Sequence, residues 1–418
     1  MRAAKYLVVV LVCLVAGGCA LVSSPSDETS PSPGPTESTE SAGAEQSPER
    51  DDDEAVDPSS FPTSFDADDL TVLPEKPVYD GIVVGARAVT MTLDRISART
   101  LPDLDTAWQM TPAGFFVDVE QRDEQLYVLD LRVLEGTGTS AGRLSMTLSR
   151  VSPSTGAVLG EATWEKRQDV QTSGDPVMKI VAIEDDVVLV ESSSSEEDSR
   201  VTLTAVDMST GDELWTRRPG TFVAVEDGVV VASTETSSDS GSLIALDTET
   251  GKRFWTGPRD LTAVSGVGVH DGVLTVATES AGATSPTLQR VSMEDGTVEA
   301  REPTRFVDWT CHPAEDSVVV CSLPGERAVG HDLATGRDLW QLPTSGRYGV
   351  WVSSVRGPYV YGFTSGARSV VLDAATGKDV AESAGAAPVS SNGYGGIIFY
   401  GGQAIFYPAA QESATTGE

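Results

Sequence analysis

From about residue 70 onward, apolar residues come in short runs broken by small polar turns. Phe222-Val223-Ala224-Val225 is followed by Glu226-Asp227-Gly228, then by Val229-Val230-Val231-Ala232, and later by the run from Leu243 to Asp247. β-Branched runs bounded by Asp-Gly turns predict strands, and no long stretch keeps the 3.6-residue period of a helix. The same plan returns along the chain with four short strands per unit, which is the layout of a propeller blade. The pattern therefore predicts an all-β protein.

The unit is clearest at Ala245-Leu246-Asp247-Thr248-Glu249-Thr250-Gly251-Lys252-Arg253-Phe254-Trp255. A strand ends at Asp247, whose short carboxylate can accept turn N–H groups, and Gly251 supplies the positive φ that reverses the chain. Close copies carry Asp207, Gly211 and Trp215, and Asp332, Gly336 and Trp340; a looser copy carries Asp373 and Gly377. Further loose copies run from Arg150 to Gly156, with Trp164, and from Arg290 to Gly296. The turn glycines fall at 156, 211, 251, 296, 336 and 377, in steps of 55, 40, 45, 40 and 41 residues. A period near 40 marks a repeat architecture. Trp108, Trp164, Trp215, Trp255 and Trp340 are read as one repeated position that packs between blades.

The Ala-Leu-Asp-x-x-Thr-Gly-x-x-x-Trp unit, preceded by Asp-Gly-Val-Val-Val, resembles the repeat of the pyrroloquinoline-quinone-like (PQQ-like) β-propellers over roughly residues 77–409. The resemblance implies the fold but not the cofactor, since the repeat serves both quinone-dependent dehydrogenases and propellers that bind no quinone. In those dehydrogenases two adjacent cysteines cap the quinone, and a calcium below it is held partly by Asn and Glu, near an Asp base. This chain has no Cys-Cys pair, and its only asparagine is Asn392, in a turn. No cofactor, metal or catalytic residue is therefore expected. The architecture also resembles the propeller lipoprotein of the outer-membrane barrel-assembly machinery, which implies a binding platform; the alternative is a dehydrogenase, or a sensor that takes a small ligand in its channel.

Counting units by the start of their second strand gives eight: after Asp80-Gly81, near Glu124-Gln125, after Asp185-Asp186, Asp227-Gly228 and Asp271-Gly272, near Asp316-Ser317, and at Gly357-Pro358 and Asn392-Gly393. The last has Ile397–Tyr400 and Ala404–Tyr407 but no outer strand after them. A ring leaves no sheet edge bare, so Leu70 to Leu73 is expected to supply that strand. Seven blades is the alternative, if Val89 to Trp108 is something other than a blade. Two loops, Gly136–Gly142 and Ser192–Asp198, are inserted between second and third strands and read as polar spacers.

The N-terminus adds an address. Arg2 and Lys5 precede an apolar run from Tyr6 to Ala16, too short for a finished membrane anchor. Ala16-Gly17-Gly18-Cys19 resembles a lipobox, so residues 1–18 are read as a lipoprotein signal and Cys19 as the lipidation site, with an ordinary cleaved signal as the alternative. Residues 19–64, rich in Ser, Pro, Glu and Asp, lack the apolar content for a core and read as a disordered acidic tether. The propeller is assigned to 65–410 and a disordered tail to 411–418. The formal charge of −34 argues against nucleic acid and against electrostatic docking on anionic lipid.

The remaining chemistry is sparse. Cys311 and Cys321 lie on two strands around one turn, where they can face each other, and an exported protein is expected to join them in a disulfide. Gly138-Thr139-Ser140-Ala141-Gly142 matches a nucleophile elbow by letter but sits between strands, not at a strand-to-helix turn. His270, His312 and His331 fall in different units at unlike positions and signal no metal cluster. The expectation is a monomeric, cofactor-free platform for unknown envelope proteins, anchored by lipid at the extracytoplasmic face of the cell membrane.

Overall fold

The computed structural model describes residues 56–410, apart from residue 58 and segments 137–141, 168–176, 194–200, 219–220, 235–239 and 324–326. The signal, Cys19, the tether up to residue 55, the Gly-x-Ser-x-Gly match, most of both inserted loops and the tail from 411 lie outside the described residues. Among those described there are strands and no helix.

The strands form six four-stranded sheets and one seven-stranded sheet; all pair neighbours antiparallel, and all but the last keep chain order. The first sheet runs Asp80–Val84, Arg87–Met91, Ile96–Thr100, Thr106–Met110; the second runs Phe115–Arg122, Gln125–Leu134, Arg143–Val151, Val158–Arg167. The third runs from Val177–Glu184 to Asp212–Arg217. The seven-stranded sheet runs from Phe222–Glu226 to Val298–Pro303, and its middle strand, Arg253–His270, is 18 residues long. That strand ends one set of four and begins the next. Two further sheets run from Thr310–Pro313 to Arg337–Leu342 and from Val350–Arg356 to Asp379–Ala381.

The last sheet breaks chain order. Ser390–Asn392, Gly395–Tyr400 and Gln403–Pro408 are joined at the outer edge by Thr71–Val72, with Thr71 opposite Phe406 and Val72 opposite Ile405. Leu73, 1% exposed, packs with Ile397, Ala404 and Phe406 of this sheet and with Val83 and Ala88 of the first. Second strands such as Val229–Ser233 are covered on both faces, because each sheet packs against two neighbours; this is why they read as unbroken apolar runs.

Two expectations change. Asp80-Gly81 does not precede a second strand: it opens the first, and the turn follows at Gly85-Ala86. Ile82, Val83 and Val84 are all buried, so alternation could not mark them as an inner strand. The tether assigned to 19–64 also ends sooner. The Phe61 ring lies against Gly357, Tyr361 Oη donates to the Pro62 carbonyl at 2.9 Å, and buried Phe65 bridges Ala409 and meets the Tyr361 ring edge-on. Phe61, an aromatic residue in a polar stretch just ahead of the propeller assigned to 65–410, was the signal for this.

Candidate functional site

Two features position side chains in this fold: the turns that join neighbouring sheets, and the inner strands around the centre.

In each turn the glycine N–H donates to the carbonyl of the aspartate four residues earlier: Gly211 to Asp207, Gly251 to Asp247, Gly336 to Asp332 and Gly377 to Asp373, at 2.7–2.8 Å. The carboxylates accept turn donors as well. Asp207 takes Ser209 N–H and Oγ–H, Asp247 takes Thr250 N–H, Asp332 takes Ala334 N–H, and Asp373 takes Thr376 N–H. Hydrogen bonds from Ser209 lower the Asp207 pKa, and those from Ser317 and Thr335 lower that of Asp332. All four glycines have positive φ.

The tryptophans bind these turns across the seam. Trp215 lies on Gly251 and its Nε1–H donates to Thr248 O; Trp255 lies on Gly296 and donates to Met293 O. Trp340 uses Gly377 and Ala374 O in the same way, and Trp108 uses Gly156 and Pro153 O. Opposite each ring on its own sheet stands a small residue: Ala205, Ala245, Gly330 and Ala98.

Trp164 is not the same position. The residue at that place is Gly160, opposite Arg150, while Trp164 lies four residues further on, opposite Met146. A second unit has Ala300 opposite Arg290. In both, large and small have changed strands, and the arginine crosses the seam instead: Arg150 Nη1 reaches Asp186 at 2.8 Å and Arg290 Nη1 reaches Ala334 O at 3.2 Å. The first unit also hides its turn. Leu104, at φ 61°, stands where the others have glycine, and its N–H donates to Thr100 O.

At the centre, the first strands carry a cluster of ionisable groups that motif reading did not single out. Asp80, Glu120, Arg356 and Ser390 share a cavity of about 380 Å³. Burial, reinforced by the Asp118 charge, raises the Asp80 pKa to about 6 although Gly81 N–H donates to it. Burial and then the Asp118 and Asp80 charges raise Glu120 to about 7, with Arg356 opposing. Asp118 is raised by burial, against hydrogen bonds from Ile180 and Val119 N–H. Burial lowers both Arg356 and His312, and the Arg356 charge adds to the effect on His312. Further carboxylates join neighbouring inner strands: Glu191 accepts from Phe222 N–H, Glu184 from Gly228 N–H, and Glu226 from Gly272 N–H.

These residues do not fit the quinone pattern. Cys311 and Cys321 are directly paired across strands and joined in a disulfide. Asn392 donates to Gly85 O and accepts from Tyr394 N–H, so its amide is engaged in joining the last sheet to the first. Among the described residues no group of three or more His, Cys, Asp or Glu is placed to hold a metal ion.

A family model described as outer membrane protein assembly factor BamB matches residues 197–396. Among solved structures the chain is similar to the computationally designed Ika8 protein, at 12% identity and a TM-score of 0.51, over 80% of this chain and 94% of that one. It is also similar to Sqt1 of Saccharomyces cerevisiae, at 10% identity and a TM-score of 0.51, over 83% and 99% of the two chains. BamB from Moraxella catarrhalis aligns at 15% identity over 81% of this chain and 97% of that one, with a TM-score of 0.46. A comparison with curated proteins gives no match. At such identities the likenesses to Ika8 and Sqt1 bear on fold alone.

Proposed function

With residues 197–396 carrying the repeat of the PQQ-like propellers, we propose that this chain is a lipid-anchored envelope protein whose propeller is a platform for protein partners. In this reading Cys19 carries the lipid, the acidic tether holds the folded part off the membrane, and eight blades close into a ring through the strand Thr71–Val72. The count of eight takes the 18-residue strand Arg253–His270 as shared by two blades. Shared packing of Leu73 with both the first and last sheets supports closure.

The observation that carries the platform reading is the composition of the centre. Arg356 shares a cavity with Asp80 and Glu120 and opposes the rise in the Glu120 pKa, and Asp118 accepts backbone N–H groups from its own and the adjoining strand. The cysteines and the asparagine that a quinone cradle would use are engaged in the structure. Loops at the faces are then the available working surface. The family description supports an envelope partner by analogy, and fold alone does not assign one. A second reading, a small ligand in the centre, is favoured by the cavity beside Asp80, Glu120 and Arg356.

Photocrosslinkers at Ser140 and Ser195 in living cells test the platform. One recurrent envelope protein, lost when Cys19→Ala moves the chain out of the membrane fraction, is expected. Pyrroloquinoline quinone with calcium is expected to leave the melting temperature unchanged. A melting shift with dye-linked alcohol oxidation would sink the platform in favour of a dehydrogenase.

A further inference from the structure

The 18-residue strand Arg253–His270 carries the chain from one half of the seven-stranded sheet to the other. Where it crosses, the pairing is irregular: its register with Gly241–Asp247 shifts between Gly241 and Ser242, and its register with Val273–Ser280 shifts between Leu261 and Ala263. Asp260, at φ 57°, makes the bend. Leu261 fills the crossing on one side, packed with Leu243 and Ala245 of the first half and with Leu274 and Val276 of the second. Beside it is a cavity of about 250 Å³, lined by the crossing itself and by the strands and loop that follow it.

The lining holds Arg259 and Arg301 and no carboxylate, in a chain with 63 acidic and 29 basic residues. Both arginines are exposed, and among the described residues neither makes an ion pair or a side-chain hydrogen bond. Arg301 stands directly opposite Gln289, so the two side chains leave the same face of the sheet. Gln289, 2% exposed, lines the same cavity, and its Nε2 donates to Thr278 Oγ1 at 2.6 Å and to Thr287 Oγ1 at 3.4 Å. A hydroxyl oxygen that accepts on one side turns its own hydrogen to another. Buried Thr278 has Thr287 Oγ1 at 3.2 Å and Thr287 O at 3.4 Å to donate to, and the half-buried Thr287 O–H can then turn into the cavity. The hydroxyls of Ser280 and Ser285 line the same space. Two like charges in one cleft repel, and an anion between them removes that cost.

We propose that this cleft binds the phosphate group of a small soluble ligand, with Arg259 and Arg301 on its oxygens and Thr287 donating a hydrogen bond. Guanidinium forks and hydroxyl donors are the groups that recognise such an anion, and a phosphate ester presents three strong acceptor oxygens to them. The volume admits a single anionic group and is below the range of about 300–1,000 Å³ that drug-sized ligands occupy. A lipid headgroup is disfavoured as the source, because the net charge of −34 opposes approach to an anionic surface. The cleft shares no lining residue with the cavity at Asp80, Glu120 and Arg356, and it makes no use of the platform reading.

Calorimetric titration of the full folded protein with inorganic phosphate in a Tris chloride buffer tests this, with succinate as the second titrant. Saturable phosphate binding, tighter than that of succinate, is expected. Arg259→Ala and Arg301→Ala are each expected to weaken it by roughly tenfold or more, as for loss of a charged hydrogen bond. Neither variant is expected to melt lower than the parent, because both side chains are exposed and unpaired. Arg253→Ala, at the other end of the same strand and also exposed, is expected to leave phosphate binding unchanged. An equal loss in Arg253→Ala would mean that overall charge and not this cleft holds the anion, and would overturn the proposal. So would the absence of saturable phosphate binding, succinate bound as tightly or more tightly, or an unchanged affinity in both cleft variants.

Discussion

The turn glycines show how one residue type serves two ends. Gly228 and Gly251 both have positive φ, at 76° and 62°. A methyl group on Gly228 would meet nothing within 4 Å, whereas on Gly251 it would lie 2.7 Å from the Trp215 ring. Gly228→Ala is therefore expected to cost only the left-handed backbone, about 1–2 kcal/mol. Gly251→Ala adds overpacking of about 1–3 kcal/mol. Thermal unfolding of the two variants measures the difference, and equal losses would mean that the tryptophan gives way freely. Asp-x-x-x-Gly was legible because its geometry is local. Leu104 was not, because the tertiary structure holds a leucine in a conformation that its own side chain disfavours.

At the scale of the element, the seam plug has two solutions, tryptophan over a small residue or arginine beside one. A tryptophan search finds the first and misreads Trp164, because the place it should occupy is Gly160, opposite Arg150. The pairing across strands carries the information, and spacing along one strand does not. The N-terminal strand is the other element that acts at a distance. Leu73 is 1% exposed and Val72 is 46% exposed. Leu73→Ala is expected to lower stability by about 2–5 kcal/mol, while Val72→Ala stays within about 0.5 kcal/mol. Their melting curves test this, and a near-neutral Leu73→Ala would mean that the last sheet does not need its outer strand. The Cys311–Cys321 bond closes a short loop and contributes about 2.5–3 kcal/mol in the chain-entropy model.

Across the whole molecule the charged centre sets a pH dependence. The Asp80 pKa rises from the ordinary carboxylate range to about 6, so the folded state holds that proton more tightly than the unfolded chain. Its contribution to stability is then full below about pH 4 and is lost as the pH rises through about 6; Glu120 has the same sign up to about 7. Glu120 opens onto solvent, which screens its effect. Asp80→Asn is expected to raise stability at about pH 8 by about 1–2 kcal/mol and to change little at about pH 4. Parallel pH profiles of the two melting temperatures would refute this. The amino-acid sequence by itself determined the strand content, the repeat, the hairpin turns and the partner of the last sheet, because each depends on alternation, turn chemistry or a sheet edge that must be covered. Only the tertiary structure decided which carboxylates gather at the centre, which arginines stand in for tryptophans, and that Arg259 and Arg301 line one cleft. Those depend on contacts between separate sheets and across strand pairs, where residues far apart in the chain share one dielectric and one packing space.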